Sequence, residues 1–437
     1  MDQIIQRTEE FLTKYKIDSD QIEMKTFIDS FQKEMERGLA GDHGSSLKMI
    51  PTYTTISETI PANQKVLVID AGGTNLRTCL VSFDEAKNPH ISEFKKTSMP
   101  GVTSEVTALE FFAIIADEVE RLIHHSDRIG FCFSYAAEIT AERDGIPLVF
   151  SKEIKAPEVI GRPIAKSLLD ELARRGHDVS KKRVAVLNDT VATLLAGQGT
   201  PSDVPYSGYI GFILGTGTNT AYVEANTNIT KLNADPAQRQ IINVESGNFD
   251  IVPGTLDRSF FDSTKEPAHY HLEKMISGAY LGPICGHIIQ AAIEENILSS
   301  TFAQRYHEKI DVLSTTVMSN YLERPFNAEY ELVQCVEGSE ADAHALWLII
   351  NAVIERAAKL TAINLASTIL KSDAGSDPRR PVCINADGTT FYKTEYLLEY
   401  TNFYLHQSLQ REHKRYYRFV RIDDSPTIGS AVAALGL

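Results

Sequence analysis

Residues 183–197 read RVAVLNDTVATLLAG, and this stretch decides how the rest of the chain is interpreted. The apolar run that ends at Leu187 predicts a short buried strand, and the apolar residues from Val191 onward predict a helix. Asn188 and Asp189 lie at the junction. In open α/β proteins, ligands bind in the crevice at such strand ends. We therefore interpret Asp189 as a candidate general base, while an ordinary helix cap remains the alternative at this point.

A glycine-rich hairpin precedes this junction. Residues 65–70 predict a buried strand, residues 71–75 (AGGTN) a turn, and residues 76–83 a returning strand. Glycines let the backbone come close to a ligand, and successive N–H groups can hold a phosphate. Asp70, at the end of the first strand, is placed to bind a water of a hydrated Mg²⁺. A plain hairpin turn beside an aspartate is the alternative reading of this motif alone.

The same pattern occurs a second time after the junction. Residues 209–214 predict a strand, residues 215–219 (GTGTN) a turn, and residues 220–224 a second strand. Self-similarity on this scale indicates a duplicated unit. The sequence therefore predicts two related halves, each opening with a phosphate-type hairpin, that face each other across a cleft and hold a nucleotide. Further strands at 91–97 and 129–133 and helices at 104–123 and 163–175 complete the first half.

The composition narrows the class of protein. The chain has 437 residues, a net charge of −15 and 43% hydrophobic residues, as expected for two or so globular domains. The acidic balance argues against a nucleic-acid partner. The five cysteines lie far apart without a CxxC pair, which predicts reduced thiols rather than disulfides or a zinc site. We find no signal peptide and no run of about 18 apolar residues, so we expect a cytoplasmic protein without a membrane partner.

Taken together, the motifs resemble those of the eukaryotic-type hexokinases, which belong to the superfamily of sugar kinases, actin and heat-shock ATPases. The resemblance covers nearly the whole chain. The matching segments are SLKMIPTY (46–53), VIDAGGTNLR (68–77), the Phe133-Ser134 pair, SKEIKAPEVIGRPI (151–164), VLNDTVATL (186–194), GTGTNTAYVE (215–224), NVESGNF (243–249) and HLEKMISGAYLG (271–282).

The resemblance implies an α/β fold with two ribonuclease-H-like (actin-like ATPase) domains. Each would be a mixed five-stranded sheet with helices, and the two would flank a deep cleft. The implied organisation is an N-terminal helical segment over 1–60, a small domain over 61–188 completed by a C-terminal helix at about 427–437, and a large domain over 189–426.

The resemblance also implies a reaction: transfer of the γ-phosphoryl group of Mg-ATP to the 6-hydroxyl of a hexose, with glucose as the first candidate. Asp189 would be the general base, and Lys152 would supply positive charge at the sugar end. The implied hexose ligands are Ser134, Ser151, Lys152, Asn188, Asp189, Asn219, Glu245 and Glu273. The implied phosphate and metal ligands are Asp70, Gly72, Gly73, Thr74, Asn75 and Arg77 on one side and Gly215, Thr216, Gly217 and Thr218 on the other.

Several loops depart from the family pattern. Ser246 stands where the family has tryptophan, Ala136 where it has proline, and Glu153 and Ile154 where it has glycine and an aromatic residue. These positions flank the predicted hexose. A hexokinase-like sugar-binding or regulatory protein with little or no turnover is therefore the alternative to an active enzyme. The expected partners are a hexose and ATP, in a monomer or homodimer.

Overall fold

The computed structural model describes residues 2–56, 59–150 and 154–437. Ser151 and Lys152, which were predicted to bind the hexose, lie outside the described residues. All other predicted site residues lie within them, so their placement is described below.

Thirteen strands form three sheets in these ranges. The strands are β1 (Ile50–Pro51), β2 (Val66–Gly72), β3 (Asn75–Phe83), β4 (Pro89–Ser98), β5 (Arg128–Phe133), β6 (Ala137–Ile139), β7 (Gly145–Pro147), β8 (Arg183–Leu187), β9 (Gly208–Leu214), β10 (Thr218–Ala225), β11 (Arg239–Asn243), β12 (Val382–Asp387) and β13 (Tyr417–Val420). Strands β6 and β7 form a small antiparallel pair of their own.

Fifteen α-helices accompany the sheets in the same part of the chain. They are α1 (Asp2–Lys14), α2 (Met24–Leu39), α3 (Ala108–Glu120), α4 (Ile164–Arg174), α5 (Asp189–Gly199), α6 (Thr255–Asp262), α7 (His271–Ile276), α8 (Leu281–Glu294), α9 (Ser300–Lys309), α10 (Thr315–Glu323), α11 (Glu331–Val336), α12 (Glu340–Ser372), α13 (Thr389–Lys393), α14 (Leu397–Leu405) and α15 (Ser425–Leu435). Helix α3 begins four residues later than predicted, because Thr107 and Glu110 form a capping box at its start.

The first sheet has the order β4-β3-β2-β5-β8. Strands β2, β5 and β8 run parallel, and β3 and β4 are antiparallel to their neighbours. This is the mixed five-stranded sheet that the sequence predicted. The pairing of Gly72 with Asn75 closes the glycine turn between β2 and β3.

The second sheet repeats this arrangement, with the order β11-β10-β9-β12-β13. Strands β9 and β10 form the second hairpin, and β12 and β13 run parallel to β9. A sixth strand is present where five were predicted, because Ile50 and Pro51 pair with Ile242 and Asn243 at the edge. The proline is compatible with this position, since an edge strand leaves one side of its backbone without ladder bonds.

Helices α5 and α15 lie between the two sheets, and glycines bring their backbones close together. A β-carbon on Gly429 of α15 would lie 1.7 Å from the Ala192 carbonyl oxygen of α5. A β-carbon on Gly211 of β9 would lie 2.2 Å from the Thr190 carbonyl oxygen. On the other side of α15, a β-carbon on Gly130 of β5 would lie 2.1 Å from the Ser430 carbonyl oxygen. The layers therefore follow the order first sheet, α15, α5, second sheet.

Helix α12, which has 33 residues, forms the core of the second half. Arg356, buried within it, donates to both carboxylate oxygens of Asp257 at 2.9 and 3.0 Å. Among the residues that the structure describes, no helix is both long and apolar enough to cross a membrane.

Replacing Gly429 with alanine should destabilise the protein by about 1–3 kcal/mol, because the new methyl group overlaps the backbone of α5. Gly436→Ala is the matched control, since its β-carbon would lie 3.5 Å from the nearest atom and so in ordinary contact. Urea denaturation of both variants measures the difference. Equal midpoints for the two variants would contradict the layer contact described above.

Candidate functional site

The first hairpin places Asp70 and Arg77 side by side. They are paired in register across β2 and β3, and Arg77 Nη1 donates to Asp70 Oδ2 at 2.6 Å. Asp70 is only 4% exposed. Burial raises the pKa of Asp70 above its usual value, the Arg77 charge opposes that shift, and the charge of Asp424 adds to it. Asp424, just before α15, is therefore close to this carboxylate.

The turn of this hairpin meets the predicted sugar segment directly. The Ser134 N–H donates to the Ala71 carbonyl at 3.1 Å, and a β-carbon on Gly72 would lie 3.0 Å from the Ser134 Oγ. Gly73 has a φ of +61°, a left-handed conformation that glycine adopts without strain. The rest of the turn lies further out, with Thr74 exposed and Asn75 half-buried.

Asp189 is the first residue of α5, at the end of β8, as predicted. The Asn188 side chain accepts from the Thr190 N–H at 2.9 Å, so Asn188 is the helix cap. The Thr190 hydroxyl donates to Asp189 Oδ1 at 3.4 Å. Burial raises the pKa of the Cys132 thiol, and the charges of Asp70 and Asp189 add to this shift. Asp70 is paired in register with Cys132, and Cys132 with Leu187, so both carboxylates lie near the same end of β5.

Hydrogen bonds within the second hairpin and from residues outside it hold its turn in place. The Gly215 N–H donates to the Gly217 carbonyl at 2.9 Å, and the Gly215 carbonyl accepts from the Gly278 N–H at 2.8 Å and the Thr390 hydroxyl at 2.9 Å. The Thr218 hydroxyl donates to the Ile213 carbonyl at 2.9 Å, which closes the turn. Thr216, at the tip, is exposed.

Amide side chains surround Glu245. Its Oε1 accepts from Asn243 Nδ2 at 2.8 Å and from Asn219 Nδ2 at 3.2 Å. The backbone of Glu245 is left-handed, with a φ of 57°. Burial raises the pKa of Glu245, the Asn243 hydrogen bond opposes this, and the charges of Asp189 and Glu273 add to it. Asn243 also lines a small cavity together with Asn188, the residue before Asp189, so Glu245 and Asp189 lie near one another.

Glu273 also contacts the second hairpin. Its Oε2 accepts from the Thr218 N–H at 3.0 Å. A β-carbon on Gly217 would lie 2.7 Å from the same oxygen, so only glycine allows this approach. The predicted role of Glu273 was limited to hexose binding. The structure shows that Glu273 also contacts the predicted phosphate turn.

Ser246, which replaces the family's tryptophan, belongs to a buried polar cluster. Its hydroxyl is 3.2 Å from the Thr220 hydroxyl, and Asn364 Nδ2 of α12 donates to Thr220 Oγ1 at 2.8 Å and lies 3.4 Å from Ser246 Oγ. Ser246, Thr220 and Asn364 are all fully buried. The exchange at this position thus changes the support of the Glu245 loop.

Three residues near the site had no role predicted from the sequence: Asn243, Asp424 and Tyr135. Asn243 could have been found, since it begins the matched segment NVESGNF that contains Glu245. Asp424 and Tyr135 carry no local signal, because their proximity to the first hairpin arises only from the tertiary fold.

The donors around Asp70 suit a hydrated Mg²⁺. This ion usually takes one or two carboxylates, several waters and nucleotide phosphates. Asp70 Oδ2 accepts from Arg77, and Oδ1 lies 3.4 Å from where a β-carbon on Gly72 would be. The described ranges hold no group of three or more metal-binding side chains. Asp70 would hold the ion together with waters and phosphates, and Asp424 would add negative charge nearby.

Glu245→Gln should stabilise the unliganded protein at neutral pH. The pKa of Glu245 is raised above 4.5 in the folded state. The stability it contributes is therefore fully present below about pH 4.5 and is lost as the pH rises through the folded pKa. A thermal-shift series from pH 4.5 to 8 measures this effect. The Tm of the variant minus that of wild type should become more positive as the pH rises.

Glu295→Gln is the control of opposite sign, because the hydrogen bond from Lys14 lowers the pKa of Glu295. That variant should have a lower Tm than wild type at pH 4.5 and above, and the difference should shrink only as the pH falls below about 4.5. A Glu245→Gln variant whose Tm difference from wild type does not grow between pH 4.5 and 8 would show that the pKa of Glu245 is not raised in the folded protein.

Comparisons with known proteins identify the family of the chain. Two sequence models described as hexokinase match residues 7–198 and 209–436. Hexokinase HKDC1 from Homo sapiens is 29% identical over 412 residues, which cover 89% of this chain but 44% of that protein. Hexokinase-2 from Solanum tuberosum is 28% identical over 445 residues, covering 94% of this chain and 87% of that protein.

The structure is similar to that of a hexokinase from Schistosoma mansoni complexed with glucose. The TM-score is 0.78 at 24% identity, and the match covers 99% of this chain and 100% of that one. This likeness confirms the predicted fold of two actin-like ATPase domains. Because hexokinase models match both halves, the chain belongs to the hexokinase family.

Proposed function

We propose that this chain is an ATP-dependent hexokinase that transfers the γ-phosphoryl group to the 6-hydroxyl of a hexose. The placement of Asp189, Glu245 and Glu273 beside two glycine hairpins carries this proposal: Asn188 and Asn243 line one cavity, Asn243 donates to Glu245, and Glu273 accepts from the Thr218 N–H. Family membership supports it, and the glucose in the schistosome structure makes glucose the first candidate substrate. In line with the sequence predictions, we further propose that the enzyme is cytoplasmic and is a monomer or homodimer. Its reaction would contribute to glycolysis.

Hexose binding would relieve the repulsion among the carboxylates. Sugar hydroxyls can both donate and accept, so they can donate to Glu245, Glu273 and Asp189 at the same time. Asn219, Asn188 and Ser134 would supply further polar contacts. Buried groups arranged for particular hydroxyls also discriminate against sugars that lack them, because those groups would then remain unpaired. Ser151 and Lys152 keep their predicted role at the sugar.

Asp189 would accept the proton of the 6-hydroxyl. It lies at the start of α5, where the helix dipole favours a negative charge. A carboxylate is a weak base towards an alcohol, so proton transfer would accompany or follow formation of the phosphorus–oxygen bond. Most of the rate enhancement would come from alignment of the two substrates and from neutralisation of phosphate charge.

The two hairpins would bind the phosphates from opposite sides. Gly72, Gly73, Thr74, Asn75 and Arg77 belong to one hairpin. The other contributes Gly215, Thr216, Gly217 and Thr218. When bound, Mg²⁺ would neutralise part of the phosphate charge. Asp70 would hold its waters, with the negative charge of Asp424 nearby, while Arg77 keeps Asp70 oriented.

A coupled assay with Mg-ATP and a panel of hexoses tests the proposal. Asp189→Ala should lower kcat by about 100- to 10,000-fold, the usual contribution of a general base. Asp178→Ala is the matched control, since that exposed aspartate accepts from Ser180 far from the site and should retain full activity. Near-normal turnover by Asp189→Ala would refute the role of Asp189 as the base.

The hexose panel also distinguishes an active hexokinase from a hexokinase-like sugar-binding protein without turnover. Isothermal titration measures hexose binding independently of turnover. If a hexose binds but no sugar phosphate forms, the proposed activity is wrong, and the chain is a sugar-binding protein of the hexokinase family.

A further inference from the structure

Tyr135 joins two segments that the proposed function assigns to different substrates. It directly follows Ser134 of the sugar segment, and its hydroxyl donates to the carbonyl of Gly73 in the first phosphate turn. The acceptor belongs to the residue with a φ of +61°. This hydrogen bond therefore holds the turn at its most sharply bent residue.

The ring of Tyr135 is fixed by aromatic neighbours. It is only 2% exposed, and its centroid lies 5.0 Å from that of Phe133 and 5.1 Å from that of Phe150. Phe150 immediately precedes residues 151–153, the predicted sugar loop. Because interiors are close-packed, a shift of Phe150 is transmitted to the Tyr135 ring rather than absorbed.

The same ring borders the space between the two halves. It lines a small cavity together with Thr52 and Asn243 from the second sheet's side and Asn188 from the end of β8. Tyr135 thus contacts, through one side chain, the phosphate turn, the residue that precedes the sugar loop, and the boundary between the halves.

We propose that Tyr135 is a positioning residue that couples hexose binding to the conformation of the first phosphate turn. This inference rests on the proposed function. A bound hexose fixes the sugar segments, the aromatic contacts fix the Tyr135 ring, and the hydroxyl fixes Gly73 for the nucleotide phosphates. Coupling of this kind is reciprocal, so each ligand tightens the binding of the other by the same factor.

Tyr135→Phe tests the proposal, because it removes the hydroxyl and keeps the ring. Isothermal titration gives the Kd of Mg-AMPPNP without sugar and with saturating 6-deoxyglucose, which lacks the hydroxyl that would react. The ratio of the two values is the coupling factor. We expect this factor to fall roughly three- to tenfold in the variant, as for the loss of one hydrogen bond. The Kd of 6-deoxyglucose alone should change by less than about twofold.

Tyr321→Phe is the matched control. Tyr321 is also buried, and its hydroxyl donates to the Ala343 carbonyl at 3.0 Å, away from the site. Both variants lose one buried hydrogen bond and should show similar losses in Tm, but only Tyr135→Phe should lose coupling. A merely structural role for Tyr135 would change Tm and leave the coupling factor unchanged.

The outcomes separate this inference from the proposed function. A wild-type coupling factor retained in Tyr135→Phe, or wild-type protein that binds both probes without coupling, overturns the role of Tyr135. Intact coupling without phosphorylation of any hexose contradicts the proposed activity alone. A wild-type protein that binds neither probe overturns both.

Discussion

The position of Asp189 depends on how closely helix α5 approaches its neighbours. Gly211 lets the backbone of α5 rest on β9, and Gly429 lets α15 rest on α5. Any larger side chain at either position would displace the helix by an ångström or more, since interiors contain few voids that could absorb the change. Asp189 is the first residue of α5, so these two backbone contacts fix its carboxylate relative to both sheets. The hairpins, at the ends of the central strands of the same sheets, are thereby placed around it.

The convergence of three carboxylates is tolerated because each has at least one donor. Asn243 and Asn219 donate to Glu245, the Thr218 N–H donates to Glu273, and the Thr190 hydroxyl donates to Asp189. Burial is the main cause of the raised pKa of Glu245, and the charges of Asp189 and Glu273 add to it. A charged Glu245 is therefore costly in the unliganded protein. Functional sites commonly contain such unfavourable interactions, and ligand binding relieves them.

Local sequence patterns were sufficient for much of the fold and part of the site. Two glycine hairpins and the junction at Asp189 are short-range features, because strand, turn and helix signals lie within a few residues of one another. The influence of the Asp424 charge on Asp70 and the hydrogen bond of Tyr135 to Gly73 join residues far apart in sequence, and no local pattern encodes them. The inward orientation of Ser246 likewise depends on Asn364 of α12, more than a hundred residues later. Ser151 and Lys152 remain predictions from the sequence.

Glu273 has a consequence for how substrate preference can change in this protein. One of its oxygens holds the Thr218 N–H, and the same oxygen closely approaches Gly217. A mutation that altered its proposed contact with sugar would also release the second hairpin turn. Because it would have both roles, Glu273 is a poor target for natural divergence or laboratory redesign of sugar choice. A change of sugar preference is more accessible at positions that support neither hairpin.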